Sequence, residues 1–329
     1  MESGEDRKGI NSFELSPKQL DQNFLWADQK MRLPFRRAFS RETMVNLLFI
    51  LPSVVLVGYF VYILIGWNVV VSVSNWKGLA PSYSFAGFGQ YVTMFHDPEF
   101  ITALTNNIIL IVIFVPSSLG LGILLAILLD SKVRGEGVFR SIYLLPFALS
   151  FVITATLWAW MYNPDVGVIN TLLKAIGLGF LQSGWTTDPN IALYCVILAI
   201  IWQFSGYTML IFLAGIKSIP ESQIMAAEVD GAAGFTLYRR VVIPQLKNST
   251  LSAFVVLMIF ALKVFDFIYV LTGGGPAATA TYVVPLKMFI ETFLRTNFAY
   301  GAAIATILFI IVLAIVVPYL YSFIWREKD

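Results

Sequence analysis

Residues Ile219 to Pro244 read I-P-E-S-Q-I-M-A-A-E-V-D-G-A-A-G-F-T-L-Y-R-R-V-V-I-P. They are the longest polar break in the second half of an otherwise apolar chain, and that contrast decides the fold. Ser218-Ile219-Pro220-Glu221 has the spacing of a capping box, with proline in the first helical turn. Gly231 offers a stop, because glycine takes the left-handed conformation past a helix end without a Cβ penalty. A second run, Phe235 to Val242, carries Arg239 and Arg240 and is expected to end before Pro244. The expected product is two short helices joined by a tight turn at Asp230-Gly231, lying outside the bilayer. Ala226, Ala227, Ala232 and Ala233 are small enough for another surface to come close.

The chain around this break is membrane material. Of its 329 residues 58% are hydrophobic and only 13% charged, with mean hydropathy +0.77. A soluble domain carries about 25% charge. Runs of roughly 20 apolar residues are expected to cross the bilayer as helices. A net charge of +2 with no basic cluster among aromatics argues against nucleic acid. The one cysteine, Cys195, excludes an internal disulfide, and the one histidine, His96, leaves no His/Cys metal set. No Gly-Lys dipeptide occurs, so a Walker-type phosphate loop is absent and any ATP must bind another chain.

Met1 to Thr43 is polar and broken by Pro17 and Pro34, and reads as an extension with a surface helix around Asp21 to Leu33. Residues 44–329 then form the membrane domain, with the polar loop at about 217–247. Six spans are expected, at Val45–Val73, Leu104–Leu129, Ser141–Tyr162, Ile191–Ile216, Ser249–Leu271 and Tyr300–Ile324. The fold class is an all-α polytopic bundle. Asn106 and Asn107 read as caps at the start of span two. Lys263 and Asp266, three apart near the end of span five, read as a local pair. Trp76, Trp158, Trp160, Trp185, Tyr91 and Tyr162 cluster near span ends and read mainly as an aromatic belt.

Seventeen of the 22 Lys and Arg fall in the N-terminal arm, the loop after span two, the Ile219–Pro244 region with its flanks, and the C-terminus. The opposite side holds Lys77, Lys174, Lys287 and Arg295, with Lys263 inside a span. The basic side is cytoplasmic by the positive-inside rule, which puts both termini and the polar loop inside a cell membrane.

The polar stretch resembles the coupling ("EAA") loop of ABC import permeases through Ala226-Ala227, Asp230-Gly231-Ala232 and Val242-Ile243-Pro244. Phe139–Pro146, Asn163–Asn170 and Val264–Pro276, the last ending T-G-G-G-P, extend the likeness toward carbohydrate and glycerol-phosphate importers of the MalF or UgpA type. The resemblance covers about Leu47 to the end. It implies that Met225, Ala226, Ala227, Glu228, Asp230 and Gly231 meet a separate ATPase. Met225 stands where the family usually has a leading Glu, and Glu228, on nearly the same helix face, is the substitute. Implied partners are a second homologous permease, two ATPase subunits that hold ATP and Mg, an extracytoplasmic sugar-binding protein, a carbohydrate and membrane lipid. The chain itself is expected to bind no cofactor and to catalyse nothing.

A sugar site near mid-membrane needs polar groups and aromatic faces turned into the bundle. Gln203 and Tyr207 share a side of span four with Phe204 adjacent, and Leu257, Phe260, Ala261 and Val264 form one stripe of span five. By resemblance to the maltose permease these positions, with Ile200, contact sugar. The alternative is an ion-coupled secondary carrier, which would place charges mid-membrane and use broken helices.

The orientation is open to a direct test. Single cysteines at Gly231, Thr186 and Ala278 in a Cys195→Ala background should separate by side. An impermeant thiol reagent should label 186 and 278, and not 231, on intact cells. Labelling of 231 from outside would reverse the topology.

Overall fold

The computed structural model describes residues 41–131, 135–273 and 278–326. The proposed N-terminal surface helix and Gly274-Gly275-Pro276 of the T-G-G-G-P element lie outside those residues. The chain divides into two compact units, 1–65 and 66–329. In the first, helix Arg41–Val57 runs into a π-helical turn at Gly58–Ile63. The second is helical apart from connecting loops, and the described residues of the chain contain no strand beyond one isolated bridge at Ser74 and Phe85.

Four helices are long and apolar enough to cross a membrane: Val45–Ser72, Pro98–Asp130, Ala192–Lys217 and Phe298–Tyr319. Two bent pairs raise the number to six if each counts as one span. These are Glu136–Ala148 with Phe151–Met161, bent by 96°, and Phe235–Gln245 with Lys247–Lys263, bent by 68°. The count is thus four to six; span three is broken inside its expected range, whereas the 68° bend lies at Leu246, before the expected span five, whose own interruption follows Lys263. Span three breaks at Leu149-Ser150, where Ser150 restarts the helix by accepting from the Ile153 N–H. Span five stops at Lys263, passes through extended Val264 and resumes at Asp266.

Span two begins six residues earlier than expected. Asp97 caps it through the Glu99 N–H, and Pro98 occupies the first turn. Asn106 and Asn107 are therefore interior and buried rather than caps. Asn106 donates to the carbonyls of Ala280 and Tyr282, and Asn107 donates to Ala261 while accepting from the Val284 N–H. Two asparagines so tie both sides of the break at Tyr282-Val283, and Ala261 of span five, to one helix.

Span four is the centre. In its most apolar window 72% of residues are buried, against 28% and 33% for spans two and six, which makes it the most enclosed of these helices. Glycine permits that closeness, as small residues do between helices in lipid. A Cβ on Gly206 would run into the Tyr143 carbonyl of span three, and one on Gly122 of span two into Thr208. Several aromatics expected in a belt are core instead. Tyr162 is buried and donates to the Cys195 carbonyl, and Trp158 is buried against it; Trp76 is half-buried and stacks on Phe298 at 4.7 Å.

Gly206→Val should destabilise this packing. Its obstacle is backbone, which cannot rotate away, so a cost of about 1–3 kcal/mol is expected. Gly120→Ala is the control, since nothing lies within 4 Å of a Cβ there. Thermal unfolding in detergent should show a clear drop for the first and little for the second.

Candidate functional site

The two breaks create a cavity. Phe147 precedes the bend in span three and Phe151 follows it, so the 96° turn aims both rings at Phe204 of span four. Phe260 completes the cluster, 4.3 Å from Phe204 and 5.0 Å from Phe151 between ring centroids. The cavity holds about 420 Å³ and is lined by these four rings, Val256, Ile259, Val264, Phe265 and Phe267, with Lys263 and Asp266 at the second break. Tyr207 stands beside it, its ring stacked on Phe147 at 5.0 Å.

The substrate positions read from the sequence divide here. Phe204, Phe260 and Val264 line the cavity. Gln203, Leu257, Ala261 and Ile200 are fully buried behind that wall. The Gln203 amide donates to the Leu149 carbonyl at 3.2 Å, which supplies a partner for a backbone group freed by the bend, while its Oε1 has no partner among the described residues. Phe147, Phe151, Lys263 and Asp266 were not read as site residues. Lys263 and Asp266 are exposed and form no ion pair, because the helix break between them removes the i,i+3 geometry. The arrangement offers aromatic faces for stacking against an apolar ring surface and one charge of each sign for hydrogen bonding.

The polar loop presents a short, largely exposed helix. Helix Glu221–Val229 has no fully buried residue: Ile224 packs, partly buried, against the apolar cluster around Leu129 and Phe212, while Met225, Ala226 and Glu228 are exposed. Gly231 has φ +85°, and its N–H reaches the Glu228 carbonyl while Ala232 N–H reaches Ala227, the two bonds of a Schellman ending. The start differs from expectation. Ser218 ends span four and donates its hydroxyl to the Gly215 carbonyl, so the helix opens at Glu221 without a side-chain cap. The return also differs: Pro244 does not stop it. Phe235–Leu237 passes into a π turn at Tyr238–Val242 and on through Ile243–Gln245, with Pro244 in a first turn where no N–H is required.

At the opposite end of span two lies a network that the sequence reading counted only as loop charge. Lys287, fully buried, contacts Asp97 at 3.0 Å, Glu291 at 2.8 Å and Glu99. Arg295 adds bonds to Glu99 and Glu291, and the Tyr300 hydroxyl donates to Asp97. The three carboxylates sit close enough to chelate a metal ion, but the Lys287 ammonium already occupies their centre. Burial pushes Lys287 down, yet its bonds to Glu291, Glu99 and Asp97 outweigh that and hold it above the ordinary lysine value. Asp97 is pushed up by burial and pulled below its ordinary value by Tyr300 and Lys287.

Comparison with known proteins places this architecture. The family profile "Binding-protein-dependent transport system inner membrane component" matches residues 118–327. A probable ABC transporter permease of Pyrococcus horikoshii is 61% identical over 86% of this chain and 95% of its own. The xylose/arabinose import permease of Haloferax volcanii is 45% identical over 81% and 84%. The fold matches a chain in the crystal structure of a bacterial alginate ABC transporter with a TM-score of 0.75, at 23% identity, covering 90% of this chain and 95% of that one.

Lys287→Met should leave three carboxylates facing each other, at a cost of about 3–5 kcal/mol typical of a broken buried pair. The wild-type network should hold across a wide pH range. Asp97 contributes above its ordinary 3.8 and loses that as pH falls through its lowered value; Lys287 contributes below its ordinary 10.5 and loses it as pH rises through its raised value. Detergent unfolding curves against pH, wild type beside Lys287→Met, should show both shoulders in the first, and in the second no alkaline shoulder from this site and a flattened acid one.

Proposed function

This chain belongs to the binding-protein-dependent transport inner membrane component family, and on that premise we propose that it is the permease subunit of an ATP-driven carbohydrate importer. The carrying observation is an aromatic cavity opened by two broken spans and connected, through span four, to an exposed loop helix. Residues 44–329 are the permease domain. Family membership sets aside the ion-coupled carrier: the charges and broken helices that would have suggested one serve here to shape a cavity.

Phe204, Phe260, Val264, Phe147 and Phe151 form the walls, Lys263 and Asp266 supply polar contacts, and Tyr207 braces Phe147. Aromatic faces beside hydrogen-bonding groups suit a pyranose or furanose ring, and the name of the Haloferax relative points to sugars. Gln203 holds the bend rather than the solute in this state. A second homologous permease closes the open side of the cavity, and an extracytoplasmic binding protein delivers the sugar. Two ATPase subunits, which hold ATP and Mg, receive Met225, Ala226, Ala227, Glu228, Asp230 and Gly231 in their clefts. Both termini and this loop face the cytoplasm. ATP binding closes the ATPase pair, and the loops carry that motion to the spans, which alternate between outward and inward openings.

Two variants separate the cavity from the coupling. Phe260→Ala removes a stacking face worth about 1 kcal/mol, roughly fivefold in apparent sugar affinity, with the ATPase still bound. Gly231→Val meets no atom within 4 Å, so its penalty is the left-handed backbone alone, about 1–2 kcal/mol. That is enough to unmake the Schellman ending and to separate ATP hydrolysis from uptake. The measurements are pentose uptake into proteoliposomes and ATPase subunit retained on solubilised permease. Full uptake in both variants would sink the reading.

A further inference from the structure

Asp130 is the last residue of span two, and it belongs neither to the cavity nor to the docking surface. Its two carboxylate oxygens each take one partner from the two roots of the polar loop. Oδ1 receives the ammonium of Lys217, the final residue of span four, at 2.9 Å. Oδ2 receives the hydroxyl of Tyr238, in the return run, at 2.8 Å. The carboxylate is only a fifth exposed. It stands on an apolar cluster in which Leu129, Phe212 and Ile216 pack with Val242 and Leu246. Among the described residues, the Tyr238 bond is the one side-chain hydrogen bond that ties the Ile219–Pro244 stretch to another span.

Helix Glu221–Val229 has no fully buried residue and meets the bundle's apolar cluster through Ile224 alone among its described residues, so a load applied there enters the bundle chiefly through the roots. Span two is where those roots are held. It is 33 residues long, about 50 Å at helical rise, and its far end carries Asn106, Asn107 and Glu99 with their contacts to the segment before span six.

We propose that Asp130 is a positioning residue for energy coupling, a carboxylate clamp that fixes both roots of the loop to span two so that loop displacement is delivered along that helix. The proposal rests on the loop being the ATPase-docking element. Lys217 and Tyr238 approach from opposite directions along the chain, and a single carboxylate holds them at one fixed separation. Without it only non-directional apolar packing holds the return run against span two, and loop motion is taken up in the π turn at Tyr238–Val242.

The test uses the whole complex with its ATPase subunits in detergent, carrying Val256→Cys in a Cys195→Ala background. Val256 lines the cavity and is exposed, so its labelling by a maleimide reports whether the cavity responds to nucleotide. The readout is the ratio of labelling rates in ATP–vanadate and in ADP. Tyr238→Phe, which removes one hydroxyl, and Asp130→Ala should each shrink that ratio by about fivefold or more, the low end of ordinary intersite coupling, while the ATPase stays bound. The double variant should lose no more than Asp130→Ala alone, since both act through one clamp. Asp130→Glu should restore part of the ratio. An unchanged ratio in Tyr238→Phe and Asp130→Ala, with ATPase retained, overturns the clamp. If Asp130→Ala does not assemble, Tyr238→Phe alone decides. A wild-type complex that retains no ATPase, or whose Val256→Cys reporter ignores nucleotide, refutes instead the reading of the loop as the docking element.

Discussion

A backbone polar group inside a bilayer has no water to turn to, and every departure from helix must be answered by a side chain or another backbone. This constraint governs where the chain breaks. Span three bends by 96° only where the Gln203 amide can take up the Leu149 carbonyl and Ser150 can cap the next turn. The break at Tyr282-Val283 is served by Asn106 and Asn107 through the carbonyls of Ala280 and Tyr282 and the N–H of Val284, and Asn107 also takes up the Ala261 carbonyl near the break in span five. The breaks are also what make the site. A continuous third span would turn Phe147 and Phe151, four residues apart, along one stripe, instead of folding both about Phe204. Polar residues that look like ligands in an apolar run are here largely the means by which a cavity is allowed to exist.

That logic explains which parts were legible in sequence. The loop was readable because its signals are local. Gly231 sits at positive φ, and the two hydrogen bonds ending the helix at Val229 follow from the spacing of four residues. The number of spans was readable from apolar length. Gln203, however, carries the same pattern whether it binds sugar or a carbonyl on a neighbouring span, and its bond to Leu149 is visible only in three dimensions. Ser150 was a fair helix-start signal inside the third span, masked by the apolar residues on both sides. Lys287 and Glu291 have visible i,i+4 spacing, but Glu99 lies 188 residues earlier, and no local pattern announces that pairing. Asn106 and Asn107 were misread as caps because the true cap, Asp97-Pro98, stands in a polar stretch that looked like loop.

The two ends of span two differ in kind, and the difference bears on how such a bundle can move. At one end a buried ammonium is surrounded by three carboxylates, with Arg295 and Tyr300 outside them. Separating such a group strands charge in a poor solvent, at about 3–5 kcal/mol for each broken pair. At the other end Lys217 is half exposed, so water competes for its place at Asp130. Pairs of that kind contribute about 0–1 kcal/mol to stability. The first end is therefore a joint that keeps its geometry through a cycle, and the second can yield.

A yielding contact is still able to transmit force, provided that its geometry is defined while it holds. Asp130 meets that condition because its two oxygens are engaged in different directions over an apolar floor, so neither partner can shift without straining the other. The wide π turn at Tyr238–Val242 loosens the return run and places Tyr238 at that carboxylate. Low cost in stability and high definition in position are compatible, and together they suit a contact that must be remade at each turnover. The buried network at the far end supplies the complementary property, a fixed point against which the rod can turn. Motion entering at a soft, well-located end and pivoting on a hard one changes the angle of span two, and Phe114 of that helix packs on both Phe204 and Phe260 of the cavity wall. The route from loop to cavity thus needs no contact beyond those that already hold the helices together.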